Sequence, residues 1–220
     1  MLQKLIGFIA PHDCLVCNKP GETVCPECVA AAFVHKVPSC YYCNRLTTDG
    51  RACQVCVRKT SLRGAHILWR YDGHVKPLVY RLKYANDRAV AEFMAARLAN
   101  HFDVTPYDVI TAVPSDGRAL RSRGYNQAEL LARAVARQAS LPYRASLLRI
   151  RHISQTHLRR TQRLEAVKDN FVCHRPQCVA GKRVLIVDDV MTTGATMNEC
   201  ARMLKNAGAK QVWGLVVAKK

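Results

Sequence analysis

The chain has 220 residues, which is enough for one sizeable core and a small additional domain. Lysine and arginine number 34 against 16 acidic residues, and the formal charge of +18 attracts polyphosphates and nucleic acid without choosing between them. No apolar run approaches the ~20 residues of a membrane span, which excludes a membrane-spanning protein. The apolar part of residues 1–10 is short and meets no small-residue cleavage site, so we interpret it as a docking segment and expect a cytoplasmic protein.

Cysteines dominate the first quarter of the chain. Eight of the eleven lie between residues 14 and 56, in four pairs of identical spacing: CLVC, CPEC, CYYC and CQVC. Two thiolates separated by two residues bind one metal ion from a tight turn, and two such turns complete a tetrahedral zinc site. Disulfides are the alternative, but they require an oxidising compartment, and nothing in the sequence predicts export. We therefore predict two structural zinc ions, without which this segment is not expected to fold.

The four cysteine pairs can be divided between two zinc ions in more than one way. Sequential division uses the first two pairs for one ion and the last two for the other, and interleaved division is the alternative. Sequential division closes shorter loops and costs less conformational entropy, so we favour it. The predicted ligands are then Cys14, Cys17, Cys25 and Cys28 for one ion, and Cys40, Cys43, Cys53 and Cys56 for the other.

Beyond the cysteines, the hydrophobic pattern predicts strands that alternate with helices. In chain order these are a strand over 65–73, helices over 75–84 and 89–102, a strand over 107–114, a helix over 126–139, strands over 145–150 and 182–189, a helix that ends at Gly208, and a strand over 211–218. Such alternation is typical of an α/β fold with a mostly parallel sheet covered on both faces. We expect a zinc-ribbon domain over residues 1–60 and one α/β domain over 64–220.

The stretch LIVDDVMTTGATM, residues 185–197, places two adjacent acids at the end of a predicted buried strand and small hydroxylic residues at the start of a helix. In a parallel sheet, ligands bind beyond the carboxyl ends of the strands. Unpaired N–H groups at a helix N-terminus bind anions, whereas Asp188 and Asp189 suit sugar hydroxyls or Mg²⁺. A phosphorylated ribose with a magnesium-bound pyrophosphate satisfies both requirements.

The same stretch resembles the 5-phosphoribosyl-1-pyrophosphate (PRPP) signature of type I phosphoribosyltransferases. The resemblance implies a type I phosphoribosyltransferase-like sheet flanked by helices, with PRPP as ligand and Mg²⁺ bound alongside it. It implies that the candidate catalytic residues Asp188 and Asp189 bind the ribose hydroxyls. The implied cradle for the 5′-phosphate consists of Thr192, Thr193, Gly194, Ala195 and Thr196.

Almost the whole chain resembles the ComF/GntX family, which is linked to natural competence and DNA utilisation in bacteria. The resemblance rests on the cysteine ribbons and on the segments VPSDGRALRSRGYNQAELLA (113–132) and SQTHLRRTQRLEAVKDNF (154–171). The first segment implies a pyrophosphate loop, because its arginines supply forked donors to a multiply charged anion. The implied members of this loop are Ser115, Arg121, Arg123, Asn126 and Gln127.

Two further sets of residues complete the expected site. Lys83, at the end of a predicted helix, is a candidate for another phosphate contact, with a surface lysine as the alternative. The segment 154–171 implies a mobile hood over the site, with Gln155 and Arg163 as ligand contacts.

The sequence leaves the reaction open. Purine-salvage relatives carry an acid at the first position of the phosphate loop, where this chain has Thr192. Three hypotheses follow: a phosphoribosyltransferase of unknown acceptor involved in DNA uptake, a protein that handles single-stranded nucleic acid without turnover, and a zinc-ribbon adaptor with a ligand-sensing PRPP site. The expected partners are PRPP, single-stranded DNA and other competence or DNA-processing proteins.

Overall fold

The computed structural model describes residues 13–32, 39–150 and 167–220. The predicted hood contacts Gln155 and Arg163 and the docking segment 1–10 lie outside the described residues. Within the described ranges, no helix is long and apolar enough to cross a membrane.

The two cysteine-rich segments repeat one local structure. In the first ribbon (residues 13–32), the backbone N–H of Asn18 donates to the carbonyl of Cys14 at 2.8 Å, and in the second ribbon (residues 39–57) Asn44 donates to Cys40 at the same distance. Both asparagines have positive φ, 61° and 62°, a conformation that asparagine tolerates better than most residues. Each ribbon ends in a short helix, α1 (Pro26–Ala32) or α2 (Gln54–Val57).

In the described part of the chain, four strands form one parallel sheet. They are β1 (Ala65–Arg70), β2 (Val109–Ala112), β5 (Arg183–Met191) and β6 (Gln211–Lys219), in the order β1-β6-β5-β2. The flanking helices are α3 (Val75–Tyr84), α4 (Arg88–His101), α5 (Gly117–Arg123), α6 (Gln127–Gln138) and α7 (Ala195–Asn206). The predicted α/β class with a mostly parallel sheet is confirmed.

Two differences from the predicted elements lie outside the main sheet. The strand predicted over 145–150 is only β3 (Leu147–Arg149), and it pairs antiparallel with β4 (Phe171–Cys173) outside the main sheet. The middle residue of β3, Leu148, is 49% exposed, so this strand is buried on one face only and is not interior to a sheet. Helix α5 was not predicted, since it buries none of its residues and therefore shows no apolar stripe.

Both faces of the sheet are covered. Along β5, Leu185 and Val187 join one apolar cluster, whereas Val184 and Ile186 join the other. The first cluster includes the buried residues of α3, α4 and α6, and the second includes those of α7, β3 and β4. This alternation follows from the two-residue period of a strand, and it explains the nearly continuous apolar sequence of β5.

Each zinc ribbon packs into a different one of these clusters. The first ribbon contributes Cys14 and Cys28 to the cluster beside α3, α4 and α6. The second ribbon contributes Cys40 and Tyr41 to the cluster beside α7. The ribbons therefore extend the core on opposite faces of the sheet, and the division of the chain into 1–60 and 64–220 stays a prediction.

Candidate functional site

The two acids lie near the carboxyl end of β5 but not at its last residue. The sequence predicted the strand to end at Asp189, whereas the ladder with β6 continues until Met191 pairs with Lys219. The strand extends because its neighbour β6 runs to Lys219 and supplies further hydrogen-bonding partners. The acid pair is therefore part of the rigid sheet, and only the following residues, beginning at Thr192, form the loop.

Asp189 forms an ion pair with Lys83. The Nζ atom of Lys83, near the end of α3, lies 2.8 Å from Oδ2 of Asp189, and the side chain of Asp189 is only 5% exposed. Burial disfavours the charged lysine, but the Asp189 carboxylate outweighs it, so the pKa of Lys83 is raised. Lys83 thus neutralises a buried acid, a role that the sequence did not suggest for it.

Asp188 is held less favourably than its neighbour. Its Oδ1 atom accepts a hydrogen bond from the backbone N–H of Asp189 at 2.9 Å. Burial, and then the negative charge of Asp189, raise the pKa of Asp188 well above its ordinary value, although Lys83 opposes this shift. Two adjacent carboxyl groups share one nearby cation, so a bound partner that donates hydrogen bonds or carries positive charge would relieve the pair.

The phosphate loop (residues 192–196) connects β5 to the N-terminus of α7. Gly194 is the N-cap of this 12-residue helix and has φ of 77°. The hydroxyl oxygen of Thr193 accepts a hydrogen bond from the backbone N–H of Ala195 at 3.3 Å, and Thr192 is exposed. The structure therefore places the predicted cradle residues together at a helix N-terminus, where backbone N–H groups and the helix dipole favour an anion.

Residues of the predicted pyrophosphate loop bind one another. The Ser115 hydroxyl donates to Oδ1 of Asn126 at 2.7 Å and lies 3.3 Å from Oε1 of Gln127. Nδ2 of Asn126 donates to the carbonyl of Val113 at 3.0 Å, and its Oδ1 caps α6 by accepting from Ala128. Asn126 and Gln127 therefore shape the turn after β2, which the sequence alone did not distinguish from direct ligand contact.

The two arginines predicted to bind pyrophosphate, Arg121 and Arg123, lie on α5 rather than in a loop. Arg121 is exposed, whereas Arg123 donates to Oε1 of Gln127 at 3.2 Å and stacks over the ring of Tyr84 at 4.7 Å. Tyr84 directly follows Lys83, so this contact brings the basic helix and the Lys83–Asp189 pair to the same edge of the sheet. The hydroxyl of Tyr125 strengthens the connection by donating to the carbonyl of Leu82 at 2.8 Å.

Sequence reasoning missed the two tyrosines that organise this edge. Tyr125 lies within the quoted segment 113–132, between Arg123 and Asn126, and this position was a usable signal for a structural role. Tyr84 gave no such signal, since its partner Arg123 is distant in the chain and only the fold brings them together.

The cysteine thiols form two compact groups. Within each group the sulfur atoms lie within 4.8 Å of one another, and the grouping is the sequential one. In the first group the backbone N–H of Cys25 also donates to Sγ of Cys14 at 3.3 Å, an arrangement that stabilises a thiolate. Four convergent thiols suit a closed structural zinc site, in which the ion crosslinks the chain and leaves no position for substrate.

The chain is similar to proteins named for competence and DNA utilisation. A sequence profile of the Phosphoribosyl transferase domain matches residues 125–220. Competence protein F of Haemophilus influenzae is 30% identical over 199 residues, covering 84% of this chain and 87% of that protein. Competence protein ComFC of Bacillus subtilis is 27% identical over 86% of this chain and 81% of its own length. DNA utilization protein YhgH of Escherichia coli is 28% identical over 92% of this chain and 88% of its own length.

We expect freshly purified, reduced protein to contain about two zinc ions per chain. Cys17→Ser and Cys43→Ser each remove an exposed member of one thiol group, so each variant should retain about one ion by elemental analysis. A wild type without zinc would contradict the prediction. Loss of both ions from either variant would instead show that the two sites do not form independently.

Asp188→Asn should stabilise the ligand-free protein at pH 7. Because the pKa of Asp188 is raised in the folded state, its ionisation destabilises the fold as the pH rises above the unfolded value of about 3.9. The asparagine variant should therefore gain roughly 0.5–2 kcal/mol in the free energy of unfolding, measured with urea. This gain should shrink as the pH is lowered from 7 towards 4.

Asp108→Asn is a control for which the free energy of unfolding should change in the opposite direction. Hydrogen bonds from Arg183 hold the pKa of Asp108 at about 2, so its carboxylate stabilises the fold at neutral pH. The Asp108→Asn variant should be less stable than wild type at pH 7, and the loss should persist until the pH approaches the folded pKa. Equal or reduced stability of Asp188→Asn at pH 7 would show that the acid pair is not strained.

Proposed function

Since the chain belongs to the ComF family, we propose that its α/β domain binds PRPP together with Mg²⁺ at the carboxyl edge of the sheet. One observation carries this proposal. The buried Asp189 and the half-buried Asp188, an adjacent lysine and a threonine- and glycine-rich loop at a helix N-terminus meet near the carboxyl end of β5. Few ligands other than a phosphorylated sugar combine hydroxyls for the acids with a phosphate for the loop.

The proposed roles follow from charge and position. Asp188 and Asp189 accept hydrogen bonds from the ribose hydroxyls, and the backbone N–H groups of the phosphate loop bind the 5′-phosphate. Mg²⁺, a hard cation that prefers oxygen ligands, would be held by the acid pair together with the ligand's own oxygens. When bound, it neutralises charge on the pyrophosphate and makes it a better leaving group.

The basic helix α5 supplies the pyrophosphate contacts in this proposal. Arg121 is exposed and Arg123 is half-buried beside Tyr84, so both guanidinium groups are near the edge where the pyrophosphate would lie. Ser115, Asn126 and Gln127 act by fixing the turn that carries α5. Lys83 neutralises Asp189 in the free protein, and its contact with phosphate stays a prediction.

We infer a phosphoribosyltransferase whose acceptor is unidentified. The acceptor's nucleophile attacks the ribose anomeric carbon, the bond to pyrophosphate breaks, and the site contributes by positioning and by stabilising the departing charge. The names of the relatives support a role in DNA uptake or utilisation. Pyrophosphate release from PRPP, measured with a panel of nucleobases and with single-stranded DNA as acceptors, tests turnover directly.

Asp189→Asn should weaken PRPP binding by ~10–100-fold, because one charged hydrogen bond is worth about 1.5–3 kcal/mol. The measurement is calorimetric titration with Mg²⁺ present. Asp108→Asn removes an ion-paired acid at the opposite end of the sheet and should bind PRPP like the wild type. Equal affinity of wild type and Asp189→Asn would remove the acid pair from the site, and no binding by the wild type would overturn the proposed function.

Single-stranded nucleic acid is a second candidate ligand, and one surface favours it. Trp69, Trp213 and Phe171 are buried and cannot stack on bases. Tyr80 and Tyr84, by contrast, are 64% and 58% exposed, with ring centroids 4.7 Å apart.

Basic side chains surround this tyrosine pair. Arg123 stacks over the ring of Tyr84 at 4.7 Å, and Arg81 of the same helix is exposed. Exposed aromatic rings flanked by arginine are the usual elements of a base-stacking platform. Arg149, by contrast, lies 3.8 Å from Asp116 and its side chain is 14% exposed, so it is not available as a DNA contact.

Tyr84→Ala should lower the affinity for single-stranded DNA by about 5–100-fold, since stacking on one base is worth about 1–3 kcal/mol. Binding should also decrease with salt by about 0.7 logarithmic units per phosphate contact and tenfold change in salt. The matched control is Tyr143→Ala, because Tyr143 also lies beneath an arginine, Arg133 at 4.4 Å, but far from the site. Equal losses in both variants, or no loss in either, would rule out the Tyr80–Tyr84 platform.

A further inference from the structure

We propose that the second ribbon positions the phosphate loop, with Tyr41 as the contacting residue, so that formation of this zinc site and binding of the 5′-phosphate are coupled. This inference rests on the proposed function, because it concerns the loop that would hold the phosphate. The second ribbon, whose predicted zinc ion is structural, would then also contribute to ligand binding.

The ring of Tyr41 lies directly against the backbone of Gly194. A Cβ atom at Gly194 would be 3.0 Å from Cδ2 and 3.1 Å from Cε2 of that ring, which is closer than ordinary contact. Tyr41 is 1% exposed, so the ring fills the space behind the loop and does not occupy the open side where a ligand enters. Glycine is therefore favoured at position 194 for two reasons: the backbone has positive φ, and the tyrosine ring leaves no room for a Cβ atom.

A buried lysine fixes the position of Tyr41. Nζ of Lys219 donates to the carbonyl of Tyr41 at 2.8 Å and to Oδ1 of Asn44 at 2.5 Å, and the residue is 7% exposed. A buried ammonium group requires such acceptors, because leaving it unpaired costs several kcal/mol. Lys219 is the β6 partner of Met191, the last residue before the phosphate loop. The ribbon is thus attached to the sheet where the loop begins.

A second attachment holds the start of α7. The backbone N–H groups of Ser61 and Leu62 donate to Oδ1 of Asn198 at 2.8 and 3.3 Å. The hydroxyl of Tyr41 donates to the carbonyl of Leu62 at 3.4 Å. Both ends of the phosphate loop are therefore connected to the second ribbon or to the residues just after it.

The predicted zinc site is connected to the phosphate loop because Tyr41 lies between two of the zinc ligands in the chain. Tyr41 lies between Cys40 and Cys43, so the turn that places its ring forms around the metal ligands. A loop held in its binding conformation before the ligand arrives loses less entropy on binding, which raises affinity. The equivalent residue of the first ribbon, Leu15, packs into the cluster beside α3 and α4 and has no such relation to the loop.

The test compares Tyr41→Ala, Tyr41→Phe and Leu15→Ala by calorimetric titration with three probes: PRPP–Mg²⁺, ribose 5-phosphate and inorganic pyrophosphate. Tyr41→Ala should lower the affinity for ribose 5-phosphate and PRPP by ~10-fold or more, the scale on which a preorganised contact acts. Pyrophosphate affinity should be unchanged, because the proposed pyrophosphate contacts are on helix α5 and not on the phosphate loop. Tyr41→Phe keeps the ring against Gly194 but loses the hydrogen bond to Leu62, so its affinity should lie between those of the wild type and Tyr41→Ala. Leu15→Ala should resemble the wild type.

Two measurements separate positioning from general destabilisation. Zinc content should stay at that of the wild type in each variant, and amide hydrogen exchange should accelerate at Thr193–Ala195 in Tyr41→Ala but not in Leu15→Ala. If Tyr41→Ala does not fold, Tyr41→Leu is used in its place, because leucine keeps most of the buried volume but lacks the flat ring. Wild-type ribose 5-phosphate affinity and loop exchange in the folded variant would overturn the coupling, whereas a wild type that binds no PRPP would overturn the proposed function itself.

Discussion

Burial of strand β5 on both faces is the constraint on which the rest of the structure depends. Its alternating side chains belong to two separate apolar clusters, each of which needs its own cover of helices. The cover ends near the carboxyl edge of the sheet, and there the sequence changes from Val187 to two acids. The same strand that organises the core therefore presents the carboxylates at a defined edge, held by the ladder with β6 through Met191.

The electrostatics of this edge favour function over stability. Two adjacent acids share one nearby lysine, and burial raises the pKa of Asp188, so the free protein keeps an unfavourable charge arrangement. A well-packed core gains nothing from such a pair, which is more readily understood as a place for hydroxyl donors and a cation. The tyrosines beside Lys83 and Arg123 add rigidity by tying α3 to the turn after β2.

The two zinc ribbons have similar local structures but different surroundings. Each extends the apolar core on one face of the sheet. The second ribbon reaches the phosphate loop through Tyr41 and Lys219. The two halves of the internal repeat therefore differ structurally: CLVC carries an aliphatic pair that packs beside α3 and α4, and CYYC carries a ring that packs behind the loop.

The sequence by itself determined the features that are local in the chain. The CxxC spacing indicated two groups of four thiols, the alternation of apolar segments indicated a parallel α/β sheet, and the strand pattern put the Asp188–Asp189 pair near the carboxyl edge of that sheet, because each pattern depends on neighbouring residues. Tertiary structure decided the rest. Helix α5 forms from its caps without an apolar stripe, β5 extends because β6 does, and Lys83 reaches Asp189 only in the folded chain. The contact of Tyr41 with Gly194 is of the same kind, since side chains far apart in sequence meet through packing that no local pattern encodes.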